Sequence, residues 1–235
     1  MRYVLSLVSI VAACLLVAGC SDHGTGTQIP QIALEGTVRD ASGAPIAEAN
    51  VAIEYHLSYL GPIIPYSATA DPALERIISY SVPQEAYVDL WLTDFSGAFV
   101  ATLVDSELTP PGTYDVVWDG TDTSAAPVTG GVYKVHLKTG DVSIVGFVLF
   151  NLSCEQMRTR TSLTRSDANG HFAVDWSIVP LGVPTRFFDE HGEYVSDSIV
   201  SNEIIVCAWQ GERSGSTPAT LIVKGTISVD VVVQE

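Results

Sequence analysis

The stretch that most constrains this chain is YDVVWDGTDTSAAPVTGGVY, residues 114–133. Tyr114, Val116 and Trp118 alternate with Asp115 and Val117, the period of two that a strand shows when one face is buried. Trp118 is therefore a core residue. Asp119, Gly120, Thr121, Asp122, Thr123 and Ser124 then supply the side-chain oxygens and the small residue of a turn. Gly130-Gly131 breaks the chain again before an apolar run resumes at Val132.

The flanks follow the same pattern. Ile78, Tyr80 and Val82 alternate, as do Val88, Leu90 and Leu92, and Asp94-Phe95-Ser96-Gly97 is a tight turn into a strand that Pro110-Pro111-Gly112 closes. Thr139-Gly140-Asp141 turns into the run VSIVGFVLF, which predicts a last strand buried on both faces. Roughly six or seven short strands with turn signals about every ten residues predict an immunoglobulin-like sandwich. Residues 76–150 also resemble the FlgD-type Ig-like domain of flagellar hook-capping proteins. The matching marks are Ser81-Val82-Pro83, the 94–97 turn, VATLVD, PGTY, VVWDGTD and GGVYKV. The resemblance implies a fold and no function, because such modules occur in many secreted and surface proteins.

At the N-terminus, Arg2 precedes an apolar run that ends in Leu16-Val17-Ala18-Gly19-Cys20. This reads as a secretory signal over residues 1–19. Its end resembles a bacterial lipobox, which implies that Cys20 is diacylated on its thiol, exposed by cleavage and acylated on its new amine. An ordinary secretory signal or a membrane span is the alternative, but a span needs about 20 apolar residues and this run is shorter. Several acyl chains, at about 0.8 kcal/mol per buried methylene, anchor stably where one chain is marginal. Residues 20–31 form a polar tether with a reach on the order of 18 Å. Asp22 is not directly beside the cysteine, so the simplest inner-membrane retention signal is absent, which favours the outer membrane or cell surface.

The chain carries 11 basic against 27 acidic residues, a net charge of −16. Residues 1–19 hold Arg2 and no acid, so the mature charge is −17. This balance disfavours nucleic acid and anionic membrane surfaces as partners and keeps the body soluble.

From Ile32 the sequence predicts two strands joined by a turn at Asp40, Ser42, Gly43 and Pro45, with Val51, Ile53 and Tyr55 on one buried face. The stretch resembles the opening of the carboxypeptidase regulatory-like domain, a transthyretin-like seven-stranded sandwich with the pattern G-x-V-x-D-x-x-G-x-P-(apolar)-x-x-A-x-V. Gly36, Val38, Asp40, Gly43, Pro45, Ile46, Ala49 and Val51 match in register. That family's next element, T-D-x-x-G-x-F, is matched only at TRSDANGHF, residues 164–172. The two resemblances together imply an all-β chain of two β-sandwiches. A host at 32–56 and 151–235 is interrupted by the Ig-like guest at 76–150, with 57–75 as connector. Insertion at a surface loop is the tolerated kind. The connector, extended, could reach ~60 Å and holds Pro62, Pro65 and Pro72, whereas Phe150-Asn151 leaves no slack. A long inbound and a tight outbound connection are expected, holding the two units at a fixed angle. Further on, 180–202 reads as loop-rich, Ile204 to Trp209 as a central strand apolar on both faces, and QGERSGSTPA as a loop before one or two closing strands. No stretch has helical periodicity.

Cys14 leaves with the signal and Cys20 is the lipid site, so Cys154 and Cys207 remain. In an oxidising compartment they form a disulfide, the alternative being two buried thiols. Chemistry is sparse. Sequence motifs for a serine nucleophile, a zinc site or a phosphate loop are absent, and His23, His56, His136, His171 and His191 are scattered without ligand spacing. No catalytic residue, cofactor or metal is expected. Asp119 with Asp122, and Asp167 with Asn169, offer fewer oxygens than the six to eight calcium takes, so turn-forming roles are expected of them. Tyr87 and Trp91 fall opposite Val88, Leu90 and Leu92, as a ligand platform or beneath the connector. The expectation is a lipid-anchored, non-catalytic envelope protein acting as a structural or adhesive module, contacting the membrane through its anchor and a protein or polysaccharide partner. A carbohydrate- or peptide-binding surface protein is the alternative.

Overall fold

Alternation becomes strand in almost every segment of the computed structural model, which describes residues 31–59, 76–188 and 194–235. In chain order the strands begin with β1 (Ile32–Asp40), β2 (Asn50–Tyr59), β3 (Arg76–Val82), β4 (Ala86–Thr93), β5 (Phe99–Thr109), β6 (Gly112–Trp118), β7 (Gly131–Thr139) and β8 (Val142–Phe150). A short helix α1 (Cys154–Met157) leads to β9 (Thr164–Arg165), β10 (His171–Asp175), β11 (Pro184–Phe188), β12 (Tyr194–Gln210), β13 (Arg213–Thr220) and β14 (Ile227–Val233).

The two ends of the chain build one pair of sheets. β1 lies between β10, antiparallel to it, and β14, parallel to it. The facing sheet centres on β12, with β2 and then β9 on one side and β11 and β13 along the other. Leu34, Val38, Phe172, Val174, Val231 and Val233 of the first sheet meet Val51, Ile53, Tyr55, Ile204, Val206 and Ala208 of the second in one buried core. β1 runs so close to β14 that a Cβ on Gly36 would lie 1.7 Å from the Val229 carbonyl oxygen, so only glycine fits there.

Among the described residues β3 to β8 pair only with one another, β3 with β6 in one sheet and β5-β4-β7-β8 in the other. Between them lies a second core of Ile78, Val82, Val88, Leu90, Leu92, Trp118, Tyr133 and Phe150. Trp118 is 2% exposed. Its ring meets Tyr133 edge-on at 4.8 Å and Phe150 at 5.3 Å, and its Nε1–H donates to the Thr121 carbonyl at 2.9 Å. An aromatic centre of this kind combines large apolar area with one satisfied polar atom.

The two cores run into each other. The outward face of β2 and β12, with Ala52, Cys207 and Trp209, packs under Leu152 and Met157 and belongs to the second core, while Val132 and Leu149 from β7 and β8 pack in the first. Ser153 caps α1, its hydroxyl accepting from the Gln156 N–H while the Gln156 side chain accepts from the Ser153 N–H. Cys154 at the start of α1 is bridged to Cys207 in β12, with Cα atoms 5.5 Å apart, and the Glu54 carboxylate accepts from the Cys154 N–H at 2.8 Å. Arg160 reaches back to donate to the Gly120 carbonyl at 3.0 Å and lies 4.7 Å over the Phe150 ring. The outbound connection is accordingly tight, with Phe150 and Leu152 buried. Residues 60–75 of the inbound connector lie outside the described residues, and 57–59 extend β2, pairing with 198–200 of β12.

Three expectations are corrected. β8 has exposed residues on both faces, and among the described residues β7 is the strand it pairs with. The 180–202 region is mostly strand, since β12 begins at Tyr194 and is held between β11 and the end of β2. Part of the supposed loop at 210–219 is β13, where Gly215 and Pro218 are accommodated at a sheet edge.

Candidate binding surface

β4, β7 and β8 present their outer faces in register. Trp91 lies opposite His136, which lies opposite Val145. The Trp91 and His136 rings stack at 5.0 Å and 6° from parallel, and His136 Nε2 is 2.9 Å from the Thr93 hydroxyl. Burial first, and Lys134 second, hold the His136 ring below the ordinary imidazole value, so it is neutral at neutral pH. One rung away, Lys134 lies opposite Phe147, with its ammonium 5.1 Å over Phe95, whose ring is 6.4 Å from that of Phe147. Tyr87, 63% exposed, stands at the other end of β4 beside Leu108 of β5.

Tyr87 and Trp91 therefore share one face, as expected, but they do not form a matched pair: Tyr87 is exposed and Trp91 is half-buried. The structure adds His136, Val145, Phe95 and Phe147 to the surface. His136 was recoverable from the alternation of Tyr133, Val135 and Leu137, which puts Lys134 and His136 on the opposite face. Its stacking on Trp91 was not, because that depends on the register of two strands separated by β5 and β6. A neutral, partly exposed ring pair bordered by apolar side chains can stack on a sugar ring or seat an apolar side chain.

A second feature is a cleft of about 250 Å³ where the two sheet pairs meet, lined among others by Tyr55, Asp94, Phe95, Asp122, Thr129 and Tyr133. Burial pushes the Tyr55 and Tyr133 hydroxyls well above the ordinary phenol value. The Tyr133 hydroxyl donates to the Thr129 carbonyl at 2.7 Å, while the Thr129 hydroxyl is buried without a partner among the described residues. Among the described residues the lining holds two carboxylates and no histidine, cysteine, lysine or arginine, so it suits a small neutral or cationic hydroxylated molecule better than an anion.

The acidic turns are built alike. Asp94 Oδ1 accepts from the Gly97 and Ala98 N–H groups, Asp122 Oδ1 from Ser124 and Ala126, and Asp40 Oδ1 from Ser42 and Ala44, all within 3.0 Å. Asp167 Oδ1 accepts from Asn169 at 2.8 Å and His171 at 2.9 Å, and Asp119 Oδ1 from Thr121 at 3.0 Å. Each of these oxygens closes its own turn. Among the described residues, the side chains close enough to share a metal ion are Glu54, Cys154 and Cys207, whose sulfurs are joined in the disulfide. His56 and His171 are exposed. Cys20, His23 and His191 lie outside the described residues.

Comparison of the chain with known protein families, with curated proteins and with solved structures finds no match.

Proposed function

We propose that this chain is a lipid-anchored envelope protein, attached through Cys20, whose two β-sandwiches act as a non-catalytic structural or adhesive module. In this reading, a transthyretin-like carboxypeptidase regulatory-like host at 32–56 and 151–235 carries a FlgD-type Ig-like guest at 76–150. The pairing supports that division, since among the described residues β3 to β8 pair only among themselves while β1 and β2 pair with strands beyond residue 163. The observation that carries the functional reading is the continuous packing between the two units. Val132 and Leu149 sit in one core, Cys207 and Trp209 in the other, and the Cys154–Cys207 bridge closes the seam. A body joined through its cores transmits force without shearing at a linker, which suits a structural element and gives no advantage to a catalyst.

Intact-mass analysis of membrane-extracted protein, native and after reduction and alkylation, tests the reading. A mass that starts at acylated Cys20, with two thiols alkylated only after reduction, supports it. A mass that retains residues 1–19, or lacks lipid, overturns the anchor.

A second reading, binding of carbohydrate or peptide at the cell surface, is favoured by the exposed Tyr87 and the Trp91–His136 stack. Titration calorimetry with purified envelope polysaccharide, comparing the natural chain with Trp91→Ala and Tyr87→Ala, tests it. Binding that both substitutions leave unchanged would remove this surface as the site.

A further inference from the structure

We propose that the cleft between the two sheet pairs binds a single neutral sugar ring, whose hydroxyls donate to Asp94 and Asp122 while its C–H face lies against Phe95 and Ile178. The walls come from both units. Asp94, Phe95 and Tyr133 belong to the β3–β8 unit, and Tyr55, Leu163 and Ile178 to the other. Ligand sites favour such junctions. At about 250 Å³ the cleft is smaller than the roughly 300–1,000 Å³ of sites for drug-sized molecules, so it holds one ring.

The polar groups of the lining select the ligand. Among the described residues, every hydrogen bond to the Asp94 and Asp122 carboxylates goes to Oδ1, which closes the turn. Oδ2 of each is left to accept from a ligand hydroxyl. The Thr129 hydroxyl oxygen is buried without a partner among the described residues, and burial raises the Tyr55 hydroxyl with no hydrogen bond offsetting it. Burial first, then Asp94 and Tyr55, keep the Tyr133 hydroxyl protonated, so Asp94 and the two phenols converge.

Hydroxyl protons need an acceptor, and carboxylates need a donor. An ammonium has no lone pair for the first, and an anion is repelled by the second. A sugar hydroxyl both donates and accepts, so it serves both. Arg160 and Lys134 flank the cleft without lining it. Arg160 donates to the Gly120 and Val128 carbonyls, and the Lys134 ammonium lies 5.1 Å over the Phe95 ring. Two cations beside two carboxylates leave little net field to draw a charged ligand. The site is independent of the lipid anchor and of the Tyr87–Trp91 surface, and each can fail without the others.

Ligand-observed NMR on the mature chain carrying Cys20→Ala tests the site. The probes are the methyl pyranosides of glucose, galactose and mannose, disaccharides ending in each, choline and inorganic phosphate. At least one pyranoside is expected to bind saturably and without dependence on salt; binding of its disaccharide as well marks the end of a glycan rather than a free sugar as the natural source. Asp94→Asn and Asp122→Asn, which keep the oxygen that closes the turn, each weaken binding by about tenfold or more. Asp141→Asn removes the same charge at an exposed turn and leaves binding unchanged. Thr129→Val weakens binding yet raises the urea midpoint of the free chain, because it removes a buried hydroxyl that has no partner. Failure of every pyranoside to bind overturns the proposal, as does a preference for choline or phosphate. Binding that survives Asp94→Asn and Asp122→Asn but is lost in Trp91→Ala belongs to the other surface and overturns it too. So does a Thr129→Val chain less stable than the parent, since the hydroxyl then has a partner within the protein.

Discussion

Ala125 offers a clean measure of backbone strain in this protein. It occupies the fourth position of its turn at φ 61°, where Gly43 and Gly97 take 87° and 101° in the equivalent turns. An L-residue pays about 1–2 kcal/mol in this left-handed region, whereas replacing alanine by glycine loosens the unfolded chain by roughly 0.4–1 kcal/mol. The difference predicts that Ala125→Gly stabilises the protein by about 0.5–1 kcal/mol. The reverse change, Gly97→Ala, should cost a similar amount. Because a Cβ at Gly97 would meet nothing within 4 Å, no clash adds to the strain there. Urea unfolding followed by tryptophan fluorescence reads both, with midpoints moving in opposite directions and the slope unchanged. An Ala125→Gly chain no more stable than the parent, or a Gly97→Ala chain that loses nothing, would refute the reasoning that the carboxylate-closed turn imposes the left-handed residue.

Replacing Cys154 and Cys207 together by alanine frees a loop with a sequence separation of 53 in the unfolded chain. On the chain-entropy argument this lowers stability by about 4 kcal/mol, read as a lower urea midpoint. Trp118→Ala empties the centre of the second core and is expected to cost about 3–5 kcal/mol in the same assay. Ser42, Ser106 and Ser124 hydroxyls hold the Asp40, Asp89 and Asp122 carboxyls below 3.8, while the His171 and Ser177 N–H groups do the same for Asp167 and Asp175. The unfolded chain takes up these protons at the higher pH, so the contribution is complete above 3.8 and is lost as pH falls through the folded values. Melting temperature measured downward from about pH 5 should fall through that window, and Asp122→Asn should flatten the fall.

Alternation was the legible part of this chain. Val51, Ile53 and Tyr55, Val88, Leu90 and Leu92, and Tyr114 to Trp118 declare their buried faces because side chains on a strand alternate whatever the strand pairs with. The Asp-x-Ser-Gly turns were legible for a related reason: the carboxylate and the N–H groups it accepts lie within five residues of each other. The candidate surface was legible only in part, since period two placed Tyr87 and Trp91 together but gave no sight of their partners on β5, β7 and β8.

Two apolar runs mark the boundary between what each level decides. The 142–150 and 204–209 runs look alike in sequence, apolar at odd and even positions. One became β8, which pairs with β7 alone among the described residues and is largely exposed. The other became the C-terminal part of β12, between β2 and β13, its inner face in the first core and its outer face under Leu152 and Met157. By itself the sequence determined that both would be strands, through β-branched composition and the turns around them. Only the tertiary structure decided which would be covered, because burial of a strand depends on neighbours brought from distant parts of the chain, and no local pattern encodes them.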